Sequence, residues 1–311
     1  MPELPEVQTT VNGLNATVRG LTIRDVWSDL PRARVARADY HDTIKYLPFF
    51  EHFQKTVHRA IIISAERRAK NILLNLNNGN TILIHMKMTG HLMYGDYVLD
   101  TKTNEWTPSP TEKNDALRDP FNRHLHLVIT FTNSKQLVLS DVRKFAKVTL
   151  LSTEIAHTTK HLDGIGPEPL DARFTAKEFI ARIATKPKGK IKTILMDQNV
   201  VAGIGNIYSD EALWLAGIHP LSITSKIPLD VLERLFRSVR TVLEKGIDFG
   251  GDSTSDYRQI DGTRGNFSHE HNAYRLTGKP CKKSGCKGDI LRIVVGGRST
   301  HFCPRHQQLW K

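Results

Sequence analysis

Apolar side chains recur at Val7, Val11, Leu14 and Val18, a 4-3-4 spacing that predicts one buried helix face after Pro5. From there to about residue 150 the pattern shortens to β-type segments. NILLNL (71–76) and TILIHM (81–86) flank Asn78-Gly79, a strong hairpin signal, and LHLVITF (125–131) and QLVLSD (136–141) flank TNSK, a second one. Between the hairpins, residues 95–123 are polar and turn-rich and predict a long surface excursion. From GIGPEPL (164–170) the pattern turns helical. Thr175-x-x-Glu178 is a capping-box candidate ahead of Phe179, Ile180 and Ile183. Pro228 opens a stretch with Leu229, Leu232, Leu235, Phe236, Val239, Val242 and Leu243 on one face, ended by Gly246. Residues 249–267, rich in Gly, Ser and Asp, predict a mobile loop. The expected class is an α+β multidomain chain. It comprises a β-rich domain over 1–150, a linker over 151–170, a helical domain over 171–268 that carries the loop, and a small tail over 269–311.

A length of 311 residues permits separate cores for two domains, and 39% hydrophobic residues with mixed charge fit a globular chain. No apolar run approaches the roughly 20 residues that span a bilayer, and Glu3 and Glu6 do not fit the basic start of a secretion signal. The expectation is an intracellular protein that acts in the cytoplasm. The net charge of +12 changes the picture more, because it favours a polyanionic partner, either nucleic acid or an anionic membrane surface. Residues 182–192 carry Arg182, Lys186, Lys188, Lys190 and Lys192 with no acid among them. Residues 264–311 are basic apart from Glu270 and Asp289.

All three cysteines lie in the tail, as CKKSGC (281–286) and CPRH (303–306). The spacing C-x4-C-x16-C-x2-H offers two knuckles that can close on one tetrahedral zinc as Cys281, Cys286, Cys303 and His306. A metal suits so short a segment, which has too little apolar surface to fold unaided. Between the knuckles, GGRST (296–300) predicts a hairpin turn with Arg298 at its tip, either a solvated arginine or a bidentate phosphate grip.

The chain begins MPELPEV. Proline suits the first turn of a helix, so Pro2 and Pro5 need be no more than a stiff entry. With Met1 removed, however, Pro2 becomes a secondary amine close in sequence to Glu3 and Glu6. An α-amino group titrates near about 7.7–8.0, so a usable neutral fraction exists at pH 7. Such an amine is a candidate nucleophile.

Taken in order, PELPEV (2–7), RRAKNILL (67–74), HMKMTGHL (85–92), DVRKF (141–145), GPEPL (166–170), GIGNIYSDEALWLAGIHP (203–220), DGTRGNF (261–267) and the cysteine tail resemble the bacterial formamidopyrimidine-DNA glycosylase family, within the group that includes endonuclease VIII. The resemblance covers nearly the whole chain. It implies a helix and two-layered β-sandwich, a helical domain with a helix–two-turn–helix element, and a terminal zinc finger with one structural zinc. It further implies a bifunctional DNA glycosylase and abasic-site lyase of base excision repair that acts as a monomer on damaged duplex DNA, without a small-molecule cofactor or a membrane. The expected substrates are 8-oxoguanine opposite cytosine and formamidopyrimidines.

Carried over residue by residue, the resemblance makes Pro2 the nucleophile that attacks the sugar C1′ and holds the Schiff-base intermediate, and Glu3 the proton donor, with Glu6 ordering water and sugar hydroxyls. Lys70 would contact phosphate and assist β-elimination, and Arg298 would grip the phosphates beside the lesion and serve δ-elimination. Met88, Arg143 and Phe145 would fill the space left by the extruded nucleotide. His85, His124, Lys186 and Lys188 would face DNA. Asn206 is open to two readings that are compatible, a helix N-cap and a phosphate contact at a helix start. Lys144 stands where an arginine is common, so it implies a phosphate contact made as a point charge. The first knuckle is longer than the usual CxxC and the last ligand is a histidine. The alternatives are an endonuclease VIII-like activity on oxidised pyrimidines and a non-catalytic zinc protein that binds DNA.

Overall fold

The computed structural model describes residues 1–32 and 40–311. They form two compact units, residues 1–163 with 250–266 and residues 164–249 with 267–311.

The first unit opens with α1 (Leu4–Thr17), β1 (Ile23–Ser28), α2 (Leu47–Val57), β2 (Ile62–Arg68), β3 (Asn71–Leu76), β4 (Asn80–His85) and β5 (His91–Gly95). It continues with β6 (Tyr97–Asp100), β7 (Glu105–Pro108), β8 (Leu125–Phe131), β9 (Gln136–Ser140) and β10 (Lys147–Ser152). Two four-stranded antiparallel sheets, ordered β1-β8-β9-β5 and β10-β4-β3-β2, share one core. Leu127, Ile129, Phe131 and Leu139 enter it from one sheet, and Ile72, Leu74, Ile82 and Ile84 from the other. The predicted helix face of Val7, Val11, Leu14 and Val18 is buried in the same core. Both predicted hairpins form, the first with a three-residue loop over 77–79.

β8 and β9 are buried at every position, although only one of their faces meets the other sheet. The reason is the segment 95–123, which lies at the surface as expected from its polar composition but is folded onto the sheet. It folds as the β6–β7 hairpin followed by 3-10 turns at Asp115–Arg118 and Pro120–Asn122. Its Tyr97, Leu117 and half-buried Trp106 pack with Trp27, Met93, Leu125, Val128 and Val138 on the outer face of the sheet. A third layer results, which accounts for the burial of β8 and β9 on both faces, their polar His126, Thr130, Gln136 and Ser140 included.

The second unit contains α3 (Ala176–Ala184), α4 (Ile191–Leu195), α5 (Asn206–Ala216), α6 (Leu229–Asp248), β11 (Leu291–Val295) and β12 (Arg298–Phe302). Thr175 caps α3, its hydroxyl accepting from Glu178 N at 3.2 Å, which is the threonine half of the expected capping box. α6 departs from the expectation at both ends. It runs through Gly246 to Asp248, and Leu229 is largely exposed because the buried stripe begins at Val231 and Leu232.

The loop expected to move with the helical domain belongs, over residues 250–266, to the first unit. Backbone and side-chain bonds hold it there, among them Tyr94 N to Ile260 O at 2.7 Å and Asp252 N to Glu6 Oε1 at 2.8 Å. Residues 151–163, expected to be linker, belong to the first unit as well.

Candidate functional site

Pro2 and Glu3 precede α1 and are buried, whereas Met1 is 41% exposed. Glu6, in the first turn, accepts from Glu3 N through Oε2 at 2.7 Å and from Asp252 N through Oε1 at 2.8 Å. Tyr257 OH donates to the Glu6 carbonyl at 3.1 Å, and burial pushes the tyrosine hydroxyl well above its usual range, so it remains a donor. One carboxylate therefore fixes both the start of the helix and the segment 250–266. α1 is stitched to β2 by a reciprocal pair of 2.8 Å bonds between the Asn15 amide and the Ala65 backbone, and by Arg67 Nε to Gln8 Oε1 at 2.9 Å. Lys70 lies at the turn between β2 and β3, beside Ala69 with φ 53°, and is only 6% exposed.

His85 ends β4, where Nδ1 accepts from Lys87 N at 2.9 Å. The remaining nitrogen then carries the proton and can donate to an anion. Burial, reinforced by Lys87 and Lys70, pulls His85 down to about 3, so the ring is neutral at physiological pH. Lys87, Lys147 and His161 line a hollow beside it; the two lysines bring positive charge together from scattered sequence positions, and burial holds His161 below the usual histidine range. Burial, with help from Lys147 and Lys87 and against Asp141, brings nearby Lys45 down to about 8.

The turn 141–146 is organised by Asp141, which is 1% exposed. Its carboxylate accepts from Ala146 N at 2.7 Å, from Arg143 N at 3.3 Å and from the Thr89 hydroxyl. This ties the turn to the neighbour of Met88, which is half-buried in the turn after β4. Arg143 and Phe145 project outwards as a pair, the guanidinium 4.4 Å from the ring centroid and the ring 44% exposed. Asp141 and Thr89 were missed by sequence reasoning, and the only signal was that an aspartate heads the motif DVRKF. Lys144 Nζ pairs with Asp29 Oδ2 at 2.9 Å while its side chain stays 47% exposed. His124 is half-buried, its Nε2 3.4 Å from Arg123 Nε, and burial and Arg123 hold it below the usual histidine range.

In the second unit Asn206 is the first residue of α5, and the N-cap is Gly205, so the N-cap reading does not hold. A glycine preceding the helix leaves the asparagine amide free to reach elsewhere, and its Nδ2 donates to Ser299 O at 2.9 Å. That bond joins the helix start to β12, the strand headed by Arg298. Val295 pairs with Arg298, so Gly296 and Gly297 form a two-residue hairpin loop with φ 56° and 73°. A Cβ on Gly296 would lie 2.7 Å from Thr193 Cγ2, which explains the glycine sterically. Arg298 is exposed at the tip, and Lys186 and Lys188 are exposed between α3 and α4. The basic run 182–192 is not one surface, however. Arg182 donates to the carbonyls of Val200 and Asn199, and Lys192 is fully buried, with Nζ 2.6 Å from Asp210 Oδ1.

The thiols of Cys281, Cys286 and Cys303 lie within 4.8 Å of one another. Cys286 Sγ is 3.6 Å from Cys303 Sγ, and Cys281 Sγ is 3.6 Å from His306 Nδ1. A zinc tetrahedron with Zn–S of about 2.3 Å has S–S edges of about 3.8 Å, so the three thiols fit that ion, and His306 approaches them at Cys281. Trp214 Nε1 donates to Cys281 Sγ at 3.3 Å, an outer contact that steadies one ligand.

A two-sheet unit with an N-terminal helix, and a helical unit ending in a zinc finger, describe a class of DNA-repair glycosylase. The chain matches the formamidopyrimidine-DNA glycosylase N-terminal domain over residues 1–148, the formamidopyrimidine-DNA glycosylase H2TH domain over 165–258, and the zinc finger found in FPG and IleRS over 278–305. It is 34% identical over 309 residues to a formamidopyrimidine-DNA glycosylase of Pelotomaculum thermopropionicum, covering 99% of this chain and 100% of that one. To the enzyme of the same name from Heliobacterium modesticaldum it is 36% identical over 308 residues, at the same coverage. The Lactococcus lactis Fpg in complex with DNA containing an abasic site superposes with a TM-score of 0.81 at 33% identity, covering 98% of this chain and 99% of that one. A complex of the wild-type Lactococcus lactis protein with DNA containing N7-benzyl-Fapy-dG gives 0.80 at 32% identity, with 99% and 100% covered. The chain belongs to the formamidopyrimidine-DNA glycosylase family. It is a DNA glycosylase of base excision repair with a zinc finger, which sets aside the non-catalytic alternative. Among the described residues no helix is long and apolar enough to cross a membrane.

Proposed function

We propose that this enzyme excises oxidised purines, chiefly 8-oxoguanine opposite cytosine and formamidopyrimidines, and then cleaves the strand as an abasic-site lyase. The nitrogen of Pro2, freed by removal of Met1, forms a bond to C1′ as the bond to the damaged base breaks and its electron pair leaves with the base. Glu3 supplies the proton that allows the sugar ring oxygen to depart, which gives an iminium on Pro2. Loss of the C2′ proton then expels the 3′ phosphate, and a second elimination expels the 5′ phosphate. Lys70 assists the first elimination and contacts phosphate, and Arg298 serves the second from the fingertip. His85, neutral and with one N–H to give, offers a hydrogen bond to a phosphate oxygen. Exposed Lys186 and Lys188 add point charges, and the start of α5 beside Asn206 receives a further phosphate. Arg143 and Phe145, with Met88 close by, occupy the vacancy left by the extruded nucleotide. Cys281, Cys286, Cys303 and His306 hold the structural zinc.

The observation that carries this reading is the anchoring of the chain start. Glu6 clamps Glu3 N and Asp252 N at once, so the residue after the nucleophile is held rigidly in a buried position. Preorganisation of that kind is what an amine needs in order to attack one sugar carbon. The test compares cleavage of duplexes carrying 8-oxoguanine opposite cytosine or thymine glycol. Preferential cleavage of the 8-oxoguanine duplex is expected. Preference for thymine glycol overturns the purine assignment in favour of the endonuclease VIII-like activity.

A further inference from the structure

The layer formed by residues 95–123 makes a second set of contacts, directed at the segment 250–266. Asp119 lies between the two 3-10 turns, and its carboxylate receives Arg258 Nη2 at 3.2 Å and Nε at 3.3 Å. Arg258 has no exposed surface, and its remaining donors reach Ser255 O at 2.9 Å and Tyr257 O at 2.8 Å. Its guanidinium also lies 4.8 Å from the Phe121 ring centroid. Asn114 Nδ2 donates to Asp261 O at 2.6 Å, and Asn122 Nδ2 reaches Gly262 O at 3.4 Å. The backbones touch here. A Cβ on Gly262 would lie 2.9 Å from the Ala116 carbonyl.

The same segment holds Glu6 from its other side, through Asp252 N to Glu6 Oε1 and Tyr257 OH to Glu6 O. Tyr257, which bonds the Glu6 carbonyl, and Arg258 are adjacent, so the Asp119–Arg258 pair and a Glu6 backbone contact share one short stretch of chain, with Asp252 N holding the Glu6 carboxylate at the start of the same segment. A buried arginine that spends its donors on one carboxylate and two carbonyls sets the backbone path between them, because a guanidinium is a planar fork with fixed directions.

We propose that residues 95–123 are a clasp: the Asp119–Arg258 pair locks the segment 250–266 onto the first unit and thereby positions Glu6, and with it the Glu3 backbone, for the reaction at Pro2. Asp119 and Arg258 are positioning residues, and neither touches substrate. The base of the clasp is rigid because Leu117 and Tyr97 anchor it in their own small core. The inference rests on the proposed role of Glu6.

The test is Asp119→Asn, close in shape but without the charge, alongside Asp119→Glu as the conservative variant. Hydrogen exchange is followed in peptides covering 250–266 and 4–17, with excision of 8-oxoguanine from a paired duplex measured in parallel. In Asp119→Asn, exchange across 250–266 is expected to accelerate while the α1 core stays protected. Its kcat is expected to fall about tenfold with KM little changed, in keeping with weakened charge-assisted bonds from Arg258 and Arg264. Asp119→Glu is expected to recover most of both. Unaltered exchange in 250–266 overturns the clasp, and so does faster exchange with wild-type kcat. Loss of protection throughout the first unit, with kcat following the folded fraction, also overturns it, because the pair is then merely structural. A wild-type protein that excises no 8-oxoguanine defeats the reading of the site instead, and leaves the exchange result standing by itself.

Discussion

Lys192 belongs to a lysine-rich run, yet its ammonium is entirely enclosed, donating to Asp210 Oδ1 at 2.6 Å, Ser209 Oγ at 2.7 Å and Asn206 O at 2.8 Å. Asp210 also receives His301 N at 2.9 Å, so one charge pair joins α4, α5 and β12. Lys192→Ala strands a buried carboxylate and is expected to cost about 3–5 kcal/mol in urea unfolding. Exposed Lys186→Ala is expected to stay within about 0.5 kcal/mol of wild type. Two histidines carry a second residue-scale expectation. His85 and His91 have native values of about 3 and about 4, against 6.5 when unfolded, because burial disfavours the charged ring. Their neutral forms contribute stability that is complete above pH 6.5. It is lost as pH falls, because the unfolded chain takes up protons that the native protein refuses. Each histidine contributes a loss of about 1.4 kcal/mol per pH unit between about pH 6 and 4.5. His91→Asn is expected to flatten the stability profile in that window by this amount. At this scale the sequence revealed residue types and motifs but not burial. Lys192 and Lys186 look alike in a string of basic residues, and only the packing of α4 against α5 separates them.

Among the elements, the zinc hairpin has the strictest local geometry. Gly296 combines φ 56° with contact to Thr193, so Gly296→Ala meets both backbone strain and a clash. A loss of about 1–2 kcal/mol is expected from the backbone alone, read as a lower melting temperature of the second unit. Trp214, Ala273, Cys281, Ile290 and Cys303 form one small cluster, so the finger's apolar core includes two of the cysteines grouped to hold zinc. Removal of zinc by a chelator is therefore expected to change Trp214 fluorescence and to abolish DNA binding, with recovery on readdition of zinc. Unchanged fluorescence and binding in metal-free protein would contradict a structural metal. The helices and hairpins were legible because periodicity and turn residues are local signals. The third layer was not, since its polar composition conceals the few residues, Tyr97, Trp106 and Leu117, that attach it. A hint lay elsewhere. Val128 stands between the polar His126 and Thr130 on the outer face of LHLVITF, an apolar position that implies a partial cover there.

Over the whole molecule, a charge of +12 and a DNA partner imply that binding releases counterions. Affinity for duplex DNA is expected to fall by about a thousandfold or more between 50 and 200 mM salt, measured by titration of a labelled duplex. A flat salt response would exclude the basic surfaces as the binding face. Family membership was legible because the motifs run in order from the first residues to the last. The attachment of 250–266 was not, because contacts between residues such as Asp119 and Arg258 leave no local pattern in either stretch. The account as a whole depends on the nitrogen of Pro2. Borohydride reduction of a mixture of Met1-free, zinc-loaded protein with an abasic duplex, followed by mass analysis of the peptides, tests it most directly. The expected result is one adduct, on the peptide beginning at Pro2, absent when Met1 is retained. An adduct on Lys70 or any other internal side chain, or none at all, would contradict it.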